Sequence, residues 1–277
     1  MRKFFIHCGY TIVLSAFLVL LFWRFDLDQR VTEIMYLGNG EWVGQGSRYL
    51  QFFYFPMNAI LFSVPVYVGL VLLLLSFSKR ESFKQFRIYR KHGLYLAFVP
   101  LLGAGFFNSV VLKGIFARPR PHEYVNEGVF YYPFQIAQAY WGQFDMSFPS
   151  GHVSMAAVFM VFYFVVHPVN ATWKRYIQVI LGIYVPIWAV VSMIISRVSF
   201  GDHFVSDGIF AVLFVYLICF GAAKAMKIDT INASLEKADN GSIIVKHDWV
   251  VVLGSLIIPL IIILYFLSRF NGLTTIT

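Results

Sequence analysis

The sequence predicts an all-α fold, a polytopic bundle of transmembrane helices, on three observations. Of 277 residues, 59% are hydrophobic and only 13% charged, whereas a soluble domain carries about a quarter charged residues. Several apolar runs approach or exceed the roughly 20 residues that span a bilayer. The charged residues gather between those runs, and none can be placed centrally within one.

Apolar windows place seven helices, over 5–25, 56–77, 93–112, 151–167, 177–196, 205–224 and 249–268. The first, "MRKFFIHCGYTIVLSAFLVLLFW", has the charge-then-apolar order of a signal peptide. No small-x-small cleavage site follows, and the run ends in Trp23, Arg24 and Phe25, so it reads as a retained helix. The second stops at Lys79 and Arg80. The third lies between the basic stretch "KRESFKQFRIYRKH" and Lys113. The fourth opens at Gly151, the fifth follows Lys174 and Arg175, and the sixth runs to Lys224. A polar segment, "KAMKIDTINASLEKADNGSIIVKH", separates the seventh. The chain thus divides into a six-helix membrane domain (1–224), a cytoplasmic polar segment (225–248) and an additional span with its tail (249–277). Cys8 and Cys219 fall in apolar runs and read as small core residues.

Positive charge orients the set. With the N-terminus cytoplasmic, 14 of the 22 Lys and Arg residues fall on the inner side, as the positive-inside rule requires. The net charge of +8 is therefore mainly a topology signal, with anionic-lipid contact along the stretch before the third helix. It excludes a nucleic-acid partner. Four outer cations run against the rule and cluster in two loops: Lys113, Arg118, Arg120 and Arg197. Single outer cations such as Arg24, Arg30, Arg48 and Arg269 read as snorkelling interfacial residues. His7, His92, His167 and His247 read as structural, and "GNGEWVGQG" as a plain loop. The aromatic run from Phe130 to Phe148 reads as an interfacial belt or the lining of a lipid-tail path.

Three segments converge on the outer face: Lys113 to Pro121, Pro149 to His152, and Ser196 to Asp207. Lys113, Arg120 and Arg197 offer fixed charge and multiple donors suited to phosphate oxygens. Ser150 and Gly151 open a helix whose unpaired N–H groups and dipole favour an anion. His203 and Asp207 stand at i and i+4 on one helical face. A carboxylate there can fix the ring's tautomer and raise the basicity of its other nitrogen, although Asp207 could equally cap the sixth helix. His152, at the phosphate seat, is placed to protonate a leaving oxygen. No Asp/Glu cluster points to a metal, so no cofactor is expected.

These residues resemble the type 2 phosphatidic acid phosphatase family, whose signature is K-x6-R-P, P-S-G-H and S-R-x5-H-x3-D. Lys113 and Arg120-Pro121 match the first part, Pro149-Ser150-Gly151-His152 the second, and Ser196-Arg197, His203 and Asp207 the third. The resemblance implies a six-helix membrane phosphatase with catalytic His203, His152 and Asp207. Its phosphate ligands would be Lys113, Arg120, Ser150, Gly151 and Arg197. His203 would attack phosphorus to give a phosphohistidine, with no metal. The register makes Arg120 the phosphate ligand and leaves Arg118 as a contact in the layer behind the ligands or to a lipid headgroup of the substrate. "RFDLDQRVTEIMY" and "GDHFVSDGIF" are similar to segments of bacterial lipid A phosphatases, which implies a bacterial inner-membrane enzyme facing the periplasm. Undecaprenyl diphosphate and phosphatidylglycerol phosphate present the same phosphoryl group, and phosphotransfer or lipid transport are rival functions. The expected partner is a membrane lipid, and no protein partner is predicted.

Overall fold

A computed structural model of the chain describes residues 2–142, 145–166 and 172–238. The predicted seventh span, 249–268, lies outside those residues. Among them, five helices are long and apolar enough to cross a membrane, and one shorter apolar helix runs Gly151–Val165. The protein is an all-α, polytopic membrane bundle.

Helix α1 (Arg2–Phe25) turns at Asp26, whose φ is positive, into the short α2 (Leu27–Met35). A small hairpin follows, β1 (Tyr36–Gly38) against β2 (Glu41–Trp42). Asn39 and Gly40 both hold positive φ at its tip, the backbone that a tight hairpin turn needs. The stretch read as a plain loop is therefore partly strand. Helix α3 spans Arg48–Phe77 and starts eight residues before the predicted 56. Pro56 is accommodated in a π-type turn, Phe53–Met57, inside the helix, because the wider turn relieves the lost N–H bond.

Helix α4 comprises Arg90–Val99, a π-type stretch Pro100–Leu112 and a final turn Lys113–Phe116. It ends at Ala117, which is left-handed, and the chain then enters α5 (Pro121–Glu127). Helix α6 is Gly151–Val165, α7 is Tyr176–Ser199 and α8 is Val205–Ala225.

Lipid tails are as apolar as leucine, so these helices associate through close packing. The tightest approach joins α3 to α4 at Gly69, where an added Cβ would lie 2.4 Å from the Ala97 backbone nitrogen. Helix α6 occupies the middle, against α3, α4, α7 and α8. Its small buried residues Ser154, Ala156 and Ala157 permit that. Two buried polar contacts join helices: Asn108 donates to Ser154 Oγ (2.7 Å) and the Tyr95 hydroxyl to the Cys219 carbonyl (2.9 Å). Beyond the C-terminal end of α8, part of the predicted polar segment forms α9 (Ile228–Ala238). Asn232 docks it through His92 (2.7 Å) and the Phe164 carbonyl (2.9 Å).

The predicted aromatic belt is divided in two. Phe148 is fully buried against Phe116, Phe134 and Phe210, whereas Ile136 and Trp141 are exposed.

Candidate active site

One end of the bundle gathers the C-terminus of α4, the N-termini of α6 and α8, and the α7–α8 turn. Backbone bonds lock these segments together: Ser150 N–H donates to the Asp207 carbonyl (3.1 Å) and Ser147 N–H to that of Arg118 (2.7 Å). Ser150 is the N-cap of α6, and its hydroxyl accepts from Val153 N–H at 3.4 Å. Gly151 leaves no room for a side chain, since a Cβ would stand 2.8 Å from Ser109 Oγ.

His203 sits in the turn before α8, 1% exposed. Its Nδ1 lies 3.5 Å from Asp207 Oδ2, longer than a formed hydrogen bond, a slack common before substrate binds. Its Nε2 is buried without a protein partner. Burial, then the charges of Lys113, Arg197 and Arg120 and the His152 ring, hold the His203 pKa well below 6.5, so the ring is neutral near neutral pH. Asp207 also accepts from Phe204 N–H at 2.8 Å. The two roles open from the sequence, capping α8 and facing His203, are thus filled by one carboxylate.

The cations form a cradle around that ring. Lys113 Nζ donates to the Met146 carbonyl at 2.7 Å. Arg197 is buried with its guanidinium 4.0 Å from the Tyr54 ring centre, and its Nε and Nη1 have no acceptor. Arg120 Nη1 and Arg197 Nη2 each lie 3.1 Å from a different oxygen of Asp202. Arg120 also pairs with Asp145. His152 is half-buried at the start of α6. Spare donors converging on a neutral imidazole suit an incoming phosphoryl group.

Arg118 takes the first of its two expected places, behind the phosphate ligands, and not the second at a substrate headgroup. A substrate-headgroup contact needs an accessible guanidinium, and this one is 1% exposed. Its nitrogens donate to the Tyr131 carbonyl, Ser206 Oγ, Asp207 Oδ1 and Asp28 Oδ2 at 2.6–2.9 Å. It belongs to the interior behind the site. Sequence reasoning had assigned no role to Asp28, Asp202 or Tyr54. The first two lie inside the stretches likened to lipid A phosphatases, which was the available signal. Tyr54 had none.

The turn itself depends on one glycine. Gly201 has φ +74, and a Cβ there would meet the Trp42 indole at 2.3 Å. The hairpin's Trp42 therefore presses directly on the turn that carries Asp202 and His203.

The sequence model of the PAP2 superfamily matches residues 92–230, just over half of the chain. The chain belongs to the PAP2 superfamily. That assignment brings a phosphatase-type activity. The PAP2 match covers every signature residue but stops short of Asp28, so part of the buried network behind the PAP2 site comes from outside the matched region. Comparison with curated proteins and with solved structures produced no match.

Proposed function

We propose that this protein is a metal-independent lipid phosphatase of the bacterial inner membrane, working at the periplasmic face through a phosphohistidine. One observation carries the reading. His203 is a buried, neutral imidazole with a free Nε2, backed by Asp207 and ringed by Lys113, Arg120 and Arg197.

In this mechanism His203 Nε2 attacks phosphorus while Asp207 holds Nδ1–H. The bond from phosphorus to the lipid oxygen breaks, and His152 delivers a proton to that oxygen. Lys113, Arg120, Arg197, the Gly151 N–H and the Ser150 hydroxyl bind the phosphoryl oxygens and the charge that develops on them. Water then attacks the phosphorus–nitrogen bond, releasing inorganic phosphate and the free imidazole. The fixed cations supply the charge stabilisation that a metal provides elsewhere, which supports a metal-free route.

The catalytic domain is residues 1–224, followed by a cytoplasmic segment over 225–248 and an additional span within 249–277. The favoured substrate is lipid A, at its 1- or 4'-phosphate. The similarity of the stretches that carry Asp28 and Asp202 to lipid A phosphatases supports this. The bias of Lys and Arg toward the other end of the bundle supports a periplasmic site.

The test is phosphate release by purified protein in detergent, with and without EDTA. The panel comprises lipid A, undecaprenyl diphosphate and phosphatidylglycerol phosphate. Release from lipid A in EDTA is expected. Abolition by EDTA would overturn the metal-free route, and preference for another lipid would reassign the substrate. Phosphate passing to an acceptor lipid instead of water would make the protein a phosphotransferase.

A further inference from the structure

Behind the proposed nucleophile lies a buried ionic network that the family signature does not contain. Arg118 uses all three guanidinium nitrogens: Nε to the Tyr131 carbonyl (2.7 Å), Nη1 to Asp207 Oδ1 (2.6 Å) and Ser206 Oγ (2.8 Å), and Nη2 to Asp28 Oδ2 (2.9 Å). The Phe204 ring, 4.1 Å from the guanidinium carbon, and the Phe130 ring, 5.3 Å away, enclose it. Asp28 in turn accepts from Ser206 N–H (3.0 Å) and Ser206 Oγ–H (2.5 Å). Asp28 and Asp207 are 2% and 0% exposed.

The charge count is informative. One cation lies between two carboxylates, so this buried network holds one carboxylate charge more than it has cations. An unbalanced buried charge is costly unless something nearby uses it. The group positioned to use it is His203, whose Nδ1 faces the outward oxygen of Asp207. Arg118 occupies the inward oxygen and turns the other toward the ring. Asp28 and Ser206 fix the far side of Arg118. Only a guanidinium can span both carboxylates and the hydroxyl at once.

We propose that Arg118 and Asp28 are positioning residues for the reaction, acting on His203 solely through Asp207. They hold its carboxylate ionised and aimed at the imidazole. This inference rests on the reading of His203 as the nucleophile.

The experiment measures kcat, KM and the pH profile of kcat/KM for Arg118→Met, Asp28→Asn and the double variant. Rates are normalised to the fraction showing a thermal transition in detergent. The charged groups around His203 (Lys113, Arg197, Arg120 and the His152 ring) are unchanged throughout. Without its cation Asp207 keeps the Phe204 N–H and the more distant Lys113 but faces the charge of Asp28 unshielded, and it binds a proton more tightly. Arg118→Met should therefore lower kcat roughly 10- to 100-fold with little change in KM. It should move the acid limb upward by about a unit or more. The double variant restores the net charge of −1 and should bring that limb back toward wild type.

Asp28→Asn keeps the cation and is nearly isosteric, so it serves if Arg118→Met does not fold. It should lower kcat without moving the acid limb upward. A scaffold-only network predicts otherwise: wild-type profiles in the folded fraction, or a double variant no better than Arg118→Met. Either result would overturn the inference, as would wild-type kcat in Asp28→Asn. His203→Ala separates the two layers. Activity retained there removes the phosphohistidine reading itself, whereas its loss beside wild-type behaviour of these variants removes only the positioning role.

Discussion

Asp202 places a negative charge inside a cradle proposed to bind phosphate, and neutralising it is the most informative single substitution. Its two oxygens each stand 3.1 Å from a cradle arginine, Arg120 or Arg197, and its side chain is only 15% exposed. A phosphoryl group that takes those donors must displace or share them. A hydrogen bond to a charged group contributes on the order of 1.5–3 kcal/mol, and an amide of the same shape is a much weaker competitor. Asp202→Asn should therefore relieve about one such bond, tightening a phosphate-like ligand roughly 10- to 150-fold. Asp145, which also pairs with Arg120, is 61% exposed. Solvent screening limits that pair to about 0–1 kcal/mol, so Asp145→Asn should change affinity less than about fivefold. The assay is the inhibition constant of orthovanadate against lipid hydrolysis at fixed pH and ionic strength. Unchanged or weaker inhibition of Asp202→Asn would refute the reasoning. It would mean that the carboxylate holds the arginines in their working geometry instead of competing for them.

Three other outcomes are expected. His203→Ala should lose turnover and also the acid-labile label left by substrate carrying radioactive phosphate; a variant still labelled would place the nucleophile elsewhere. Gly69→Ala forces a methyl to within 2.4 Å of the α4 backbone. Overpacking of about 1–3 kcal/mol should lower the melting temperature in detergent while KM stays put, and an unchanged melting temperature would contradict that approach distance. The depressed pKa of His203 means that the unfolded chain binds a proton there which the folded chain refuses. Stability from this group should be complete above its unfolded pKa of about 6.5 and fall as pH drops below it. His203→Gln should flatten the decline in melting temperature between pH 7 and 5, and an equally steep decline would assign it to other groups.

Much of the site could be read from the sequence, because its parts are local. Helix ends follow from where apolar runs stop, and the spacing from Lys113 to Arg120-Pro121, or from His203 to Asp207, is short enough to fix which groups share a face. What escaped reading depended on distant partners. Nothing around Arg118 shows that Asp28, ninety positions earlier, arrives to neutralise it, so a doubled Arg-Pro looks exposed. Phe148 sits in an aromatic stretch with the composition of a belt, and only its packing on Phe116 and Phe210 removes it from the surface. The hairpin strands hold three and two residues, too few for any alternation to register. Pro56 was taken as a helix start on good local grounds, yet π-type turns carry the helix back to Arg48.

The clasp between Asp28, Arg118 and Asp207 joins the beginning of the chain to its last long described helix. During synthesis Asp28 follows α1 out of the first crossing, with no cation to meet it. Arg118 arrives two membrane crossings later, and Ser206 and Asp207 only when α8 has been inserted. A second clasp joins α1 to α8, His7 with the Tyr216 hydroxyl at 2.6 Å and against the Phe220 ring, and closes at about the same stage. The carboxylate beside His203 is therefore held from behind only in a chain whose α2 and α8 already lie side by side.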